Sequence, residues 1–195
     1  MTCRSIARLA FIAAVVAGCA SAASPPTAIA CSSVARDWPT GRAEALLMQR
    51  IQDLTNIERR AAGLEPFTLQ CNDKLQRIAA GHSRNMARDH LFGHVDAQGR
   101  RPLDRVLADE PDFRGMVAEN VAMLAVSSWR ASDARPNTLI GRSVEDLARQ
   151  FMTNWMESPG HRANILRPQL RQIGIGVYVD SNAVYVTQLF SGSAP

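Results

Sequence analysis

The chain has 195 residues, with 22 basic and 18 acidic side chains and a formal net charge of +4 at pH 7. A balance this close to neutral, without a basic block interleaved with aromatic residues, excludes a nucleic-acid-binding function. The apolar run over residues 9–18 is too short to span a bilayer as a stable helix.

Residues 1–18 have the layout of a secretory signal, because two arginines precede a short apolar run. The run ends in VAGC at Cys19, which resembles the bacterial lipobox, where cleavage precedes a cysteine that is then lipidated. We therefore expect Cys19 to anchor an exported protein to a membrane of the bacterial cell envelope. Ordinary signal cleavage after Ala22 or Ala30, giving a soluble secreted or periplasmic protein, is the alternative.

Two further cysteines, Cys31 and Cys71, follow the signal. An exported chain lies in an oxidising compartment, so we expect a Cys31–Cys71 disulfide that ties the N-terminal arm to the domain. Two unpaired thiols are the alternative. Residues 19–41 are rich in small residues, Ser and Pro and lack a hydrophobic period, which predicts a flexible tether.

Residues 42–192 are predicted to form one domain. Helical spacing of apolar residues predicts helices over about 42–62, 72–90 and 103–108, and a long helix that begins after a Ser143 N-cap. Strand-like runs follow at 115–124, 173–179 and 184–190, the last two as a hairpin. This order predicts an α+β fold with an antiparallel sheet covered by helices. Gly174 and Gly176 alternate on one strand face, which predicts that a neighbouring element approaches closely there.

The chain has four histidines, and the sequence around each one indicates whether it is buried or a candidate site residue. His82 lies on the apolar face of the second helix, which favours a buried histidine over a metal ligand. His90 and His94 are four residues apart, but Gly93 intervenes and the helical pattern ends near His90. This pattern argues against two ligands on one helix face and places His94 in a loop.

Glu119 and His161 are the remaining candidates for a site. A carboxylate inside the apolar run MVAENVAML is costly to bury alone, so Glu119 needs cations, hydrogen bonds or a metal nearby. An exposed position on an edge strand is the alternative. After Trp155, the Ser-Pro-Gly run is predicted to end the long helix and to present His161 to the site. A solvated His161 behind a simple stop signal is the alternative.

Several segments resemble the SCP/CAP superfamily, which includes cysteine-rich secretory proteins, venom antigen-5 proteins and class 1 pathogenesis-related proteins. They are LTNIERRAAGLEPFTL, FGHVDAQG, AENVA, WMESPGHRANIL and IGIGVYV with VYVTQLF, in the family's order over residues 43–190. The resemblance implies a three-layer α–β–α sandwich with a central antiparallel sheet and a cleft. At the matching positions, His94, Glu119 and His161 correspond to three of the family's four cavity residues. The resemblance further implies that His94 and His161 can hold a divalent metal ion, zinc above all.

The fourth position departs from the family pattern. A second glutamate would follow the helix tryptophan by three residues, and that place is Ser158 here. Glu157 comes one residue early and is turned by about 200° from Trp155, so it is a poor substitute. The expected cleft set is therefore His94, Glu119, Ser158 and His161. No catalytic residue is assigned, because the missing carboxylate weakens paired acid–base catalysis.

Three functions are compatible with these residues. The first is a monomeric, non-enzymatic envelope protein whose cleft binds a small, lipidic or cell-wall ligand. The loop over 127–138, with Trp129 and Arg135, is favoured as an ordinary surface loop, and a rim of the cleft is the alternative there. The second is a metal-dependent hydrolase acting on peptides or the cell wall, in which His94 and His161 hold the metal and Glu119 assists. The chain contains neither HExxH nor GxSxG, which disfavours this activity. The third is an interaction protein with a vestigial cleft.

Overall fold

The computed structural model describes residues 41–67, 73–125, 137–181 and 183–193, which hold three helices, three strands, two helices and two strands in chain order. The helices are α1 (Arg42–Ala61), α2 (Asp73–Arg88), α3 (Pro102–Asp109), α4 (Val144–Glu157) and α5 (Pro159–Ile165). The strands are β1 (Met116–Ala125), β2 (Thr138–Leu139), β3 (Arg142–Ser143), β4 (Leu170–Asp180) and β5 (Ala183–Gly192). The predictions for Cys19, Cys31, Cys71, Trp129 and Arg135 concern residues outside these ranges.

The central sheet is antiparallel, with strand order β1-β5-β4. Helices α2 and α3 pack on one face, while α1, α4 and α5 pack on the other. This arrangement confirms the predicted α+β fold with a three-layer α–β–α sandwich. No helix in the described ranges combines the length and apolar character that a membrane crossing requires.

Strand β5 is buried on both faces because it lies in the middle of the sheet. Val186 and Phe190 join the larger core, with α1 and α4. Leu189 turns to the other face and packs with Leu75 of α2 and Val106 of α3. Successive side chains of a strand point to opposite faces, so one strand contributes to both cores.

Gly174 and Gly176 let α2 lie directly on β4, as predicted. A Cβ atom at Gly174 would overlap the backbone of Leu75, and one at Gly176 would overlap the backbone of Ala79. Ser83, one turn further along α2, donates to the Gly176 carbonyl at 3.1 Å. The two missing side chains therefore set the spacing between helix and sheet.

The end of α1 is tied to the segment that follows α5. Gly63 is left-handed (φ 71°), and the Leu64 N–H donates to the Arg59 carbonyl at 2.9 Å. The fully buried Arg59 guanidinium donates to the carbonyls of Glu65, Ile165, Arg167 and Leu170. One side chain thus links the segment after α1 to the last carbonyl of α5 and to the segment that follows α5.

The long helix begins as predicted but ends differently. The Ser143 hydroxyl accepts from the Asp146 N–H at 3.1 Å, as an N-cap does. The Ser-Pro-Gly run was predicted only to end this helix, with His161 beyond it. Instead, Pro159 opens α5 and His161 lies within it. The N–H group at the first position of a helix has no partner within the helix, so proline, which lacks an N–H, can begin a helix as well as end one.

Candidate functional site

Strand β1 carries two adjacent polar side chains that serve opposite faces of the sheet. Glu119 turns towards the layer of α2 and α3, and Asn120 turns towards the layer of α4 and α5. Both are buried, although β1 is an edge strand. The Glu119–Asn120 pair is therefore internal, which rules out the exposed alternative for Glu119.

The Glu119 carboxylate is held by three side chains. Its Oε2 accepts from Arg105 Nη2 at 2.5 Å, and its Oε1 accepts from His94 Nδ1 at 2.9 Å. His82 Nε2 lies 3.8 Å from the same Oε1. Because both Glu119 and Arg105 are buried, each compensates the charge of the other.

The loop that carries His94 is shaped by Asp96 and Arg105. The Asp96 carboxylate accepts from the backbone N–H groups of Gln98 and Arg100 and from the Arg100 side chain. Arg105 Nη1 donates to the carbonyls of His94 and Arg100, at 3.0 and 2.9 Å. Arg105 therefore positions both the backbone of His94 and the carboxylate that binds its ring.

His161 is positioned from the other side of β1. Asn120 Nδ2 donates to the His161 carbonyl at 3.1 Å. Asn164, one turn along α5, donates to the carbonyl of Glu119 and to the side chain of Asn120. Partial burial of the His161 ring lowers its pKa, and the nearby His94 lowers it further. Both effects favour the neutral form of the His161 ring.

The hydrogen bond of His94 bears on whether its ring can hold a divalent metal ion. A carboxylate oxygen only accepts, so His94 Nδ1 carries the proton that it donates to Glu119, and in this neutral tautomer Nε2 would have a lone pair for an ion. A carboxylate behind a histidine is the usual second shell of a zinc ligand. The described residues offer no group of three or more His, Cys, Asp and Glu side chains arranged around one point. An ion held by His94 and His161 would keep its other positions open to water or a ligand.

By the histidine site we mean His94, Glu119 and His161, and the membership of Ser158 in this site stays a prediction. Ser158 lies half-buried at the junction of α4 and α5. Glu157 is exposed while Trp155 is buried, in keeping with their predicted opposite faces. His90 has a left-handed backbone (φ 52°) beyond the end of α2, so it does not share a helix face with His94.

Sequence reasoning missed three of the positioning side chains. Arg105 stands in the short run PLDRVLAD, where an arginine is typical of a solvated helix face. Asn120 follows Glu119 directly, and the alternation of a strand already places the two on opposite faces. Asn164 lies in the recognised RANIL segment but carries no separate signal. His82, predicted as buried, is buried and also lies against the site.

The fold and site together define a class of protein, the three-layer α–β–α sandwich whose edge-strand glutamate binds a loop histidine. The model of the cysteine-rich secretory protein family, called CAP, matches residues 52–190. The chain therefore belongs to the CAP family, as its sequence motifs predict.

Relatives with similar sequences come from bacteria. The Bacillus subtilis protein YkwD is 29% identical over 144 residues, which cover 74% of this chain and 46% of YkwD. An extracellular protein with an SCP domain from Bacillus anthracis is 28% identical, with a TM-score of 0.54, over 75% of this chain and 40% of that protein. The chain thus spans less than half the length of either relative.

A structural likeness extends further than the sequence similarity. An outer surface protein from Borrelia burgdorferi superposes with a TM-score of 0.59 at 15% identity. The match covers 76% of this chain and 93% of that protein. At this identity the likeness concerns the fold alone.

Proposed function

We propose that this chain is an exported, lipid-anchored protein of the bacterial cell envelope that binds a small or lipidic ligand at its histidine site. In this proposal, His94 and His161 hold a divalent ion, zinc above all, next to the ligand. The hydrogen bond from His94 Nδ1 to the buried Glu119 carboxylate carries the proposal, because it orients the ring and leaves Nε2 for the ion. A bound zinc ion would supply a Lewis acid that polarises a polar group of the ligand.

Export is supported by the signal-like N-terminus and by the extracellular relative from Bacillus anthracis. The lipid anchor is supported by Cys19 in its lipobox-like setting. Both features suit a domain that meets its ligand outside the cytoplasm.

An apolar ligand is supported by the side chains that flank His94. Leu91, Phe92 and Val95 are each about half exposed, at 49%, 53% and 47%. Three large apolar side chains in one short exposed loop are unusual unless they meet an apolar partner. We therefore place the apolar part of the ligand on this loop, with its polar end towards His94.

Binding fits the site better than hydrolysis does. Both oxygens of Glu119 are already engaged, one by Arg105 and one by His94. A general base has to reach a water or substrate proton, and the buried Glu119 carboxylate faces Arg105 and His94 instead. In this arrangement Glu119 positions His94, while the open ion positions and the apolar loop serve the ligand.

Calorimetric titration of the purified protein with zinc chloride tests the ion. We expect one site in the wild type, lost in both His94→Ala and His161→Ala, because each variant removes one of two protein ligands. His90→Ala is the matched control, since His90 is exposed and lies only four residues from His94. If the wild type shows no heat of zinc binding, or if either site variant binds zinc as the wild type does, these imidazoles do not form a zinc site.

The apolar loop is tested with the fluorescent fatty acid cis-parinaric acid. Phe92→Ser is expected to weaken its binding by about tenfold or more, because burying a phenylalanine contributes roughly 1.5–3 kcal/mol. Met123→Ser is the control, since Met123 is a similarly exposed apolar residue on β1. Equal losses in both variants, or none in Phe92→Ser, would remove the loop from the ligand site.

A further inference from the structure

A row of buried polar side chains connects α1 to α5 across the sheet. Thr55 of α1, Gln188 of β5 and Asn120 of β1 are all fully buried. Gln188 Nε2 donates to Thr55 Oγ1 at 2.8 Å, and Asn120 Nδ2 donates to Gln188 Oε1 at 3.0 Å. The same Asn120 nitrogen donates to the His161 carbonyl. An unbroken path of hydrogen bonds therefore leads from α1 to the helix that carries His161.

The direction of these hydrogen bonds is set at α1. The Thr55 hydroxyl donates to the Ile51 carbonyl at 2.7 Å, and a carbonyl oxygen can only accept. The Met152 sulfur, 3.4 Å from the same hydroxyl, is a weaker acceptor. A hydroxyl has one proton, so Thr55 Oγ1 is left as an acceptor for Gln188. The Gln188 amide must therefore turn its nitrogen towards Thr55 and its oxygen towards Asn120.

The partners at the other end require the same direction. Asn120 Nδ2 has two protons, and Gln188 Oε1 and the His161 carbonyl accept one each. Asn120 Oδ1 accepts from Asn164 Nδ2 at 3.0 Å, and the Asn164 amide also donates to the Glu119 carbonyl at 3.2 Å. A reversed Asn120 amide would place its oxygen against the oxygens of Gln188 and His161. The orientation of Asn120 that holds His161 is thus the one that suits every partner.

Gln188 and Asn120 lie directly opposite each other on β5 and β1. Because both side chains are buried, a polar group of either one that lost its partner would be left without water as well. We propose that Gln188 is a positioning residue for His161, because it fixes the Asn120 amide that holds the His161 carbonyl. Thr55 in turn orients Gln188. The inference rests on the proposed function only where it concerns zinc, since the hydrogen bonds form without an ion.

Thr55→Val and Gln188→Leu break this path at two different places. Valine has nearly the shape of threonine but no hydroxyl, so Gln188 loses the acceptor that orients it. Leucine removes both polar groups of Gln188 and leaves one proton of Asn120 without its acceptor. Thr55→Ser is the matched control, because serine keeps the hydroxyl and lacks only the methyl group.

Nuclear magnetic resonance without added metal measures the positioning itself. The ring signals of His161 are followed in ¹³C,¹⁵N-labelled protein. We expect them to shift in Thr55→Val and in Gln188→Leu and to stay at the wild-type values in Thr55→Ser. The ring signals of His90, an exposed residue beyond the end of α2, should be unchanged in every variant.

Zinc affinity connects the positioning to the proposed function. In calorimetric titrations with zinc chloride, Thr55→Val and Gln188→Leu are expected to weaken binding by about tenfold, because side chains that orient a metal ligand contribute roughly 10–100-fold to affinity. Thr55→Ser should bind zinc as the wild type does. Urea unfolding of each variant is measured in parallel, because a purely structural role would lower stability and leave the zinc affinity of the folded protein unchanged.

Three results would overturn the proposal. The first is unchanged His161 ring signals in both Thr55→Val and Gln188→Leu. The second is an equal shift in Thr55→Ser, which would trace the effect to a lost methyl contact. The third is a shifted ring with unchanged zinc affinity. If the ring signals shift as expected and the wild type binds no zinc, the proposed function fails while the positioning of His161 by Gln188 stands.

Discussion

Replacing Arg105 with methionine is expected to lower the free energy of unfolding by about 3–5 kcal/mol. The variant leaves the Glu119 carboxylate buried without its guanidinium partner, and it leaves the carbonyls of His94 and Arg100 without their donor. Removal of one member of a buried ion pair is destabilising because the other charge remains in a poorly solvated place. Urea unfolding followed by circular dichroism measures the change.

The double variant Arg105→Met with Glu119→Leu separates this explanation from a loss of packing. The double variant has no buried charge at this place, so its free energy of unfolding should be closer to that of the wild type than that of Arg105→Met is. Replacing both members of a buried ion pair with apolar residues is often neutral. If the double variant is as unstable as the sum of the two single variants, the ion pair is not the cause.

Gly176→Ala is the second substitution with a large expected effect, a loss of about 3 kcal/mol in the free energy of unfolding. The new methyl group would overlap the backbone of Ala79, and backbone atoms of a packed helix cannot rotate away as a side chain tip can. The helix α2 would have to move off β4 and would disturb the cores on that face.

Gly81→Ala is the matched control for this prediction. Gly81 lies on the same helix, but a Cβ atom there meets open space. Alanine should therefore stabilise the protein by about 0.5–1 kcal/mol, through its higher helix propensity. Comparable destabilisation by both substitutions, in parallel urea titrations, would mean that contact between α2 and β4 is not what Gly176 provides.

Much of the fold follows from local pattern. The period of α4 and its Ser143 cap predict that helix, and the alternating glycines of β4 predict the close approach of α2. The Ser-Pro-Gly run was misjudged because the same residues end one helix and begin another. Local sequence cannot separate these cases, since proline is compatible with both.

The histidine site was predictable in part. His94, Glu119 and His161 follow from the family motifs, and the structure joins the first two by a hydrogen bond. Arg105 could not be found in this way, because its partner lies 14 residues away and on a different element. A contact between two separate elements depends on how the helices pack on the sheet, and the sequence of one segment alone does not determine that packing.

The two imidazoles differ in how firmly the protein holds them. The helix of His161 is restrained at both ends, by Asn120 near its start and by Arg59 at the Ile165 carbonyl. The His94 side chain is 48% exposed and stands on a loop of turns. Loops of this kind open at lower free energy than packed helices do. If the site binds a ligand as proposed, ligands of different bulk would be accommodated by displacement on the His94 side, and the rate of their entry would follow the opening of that loop.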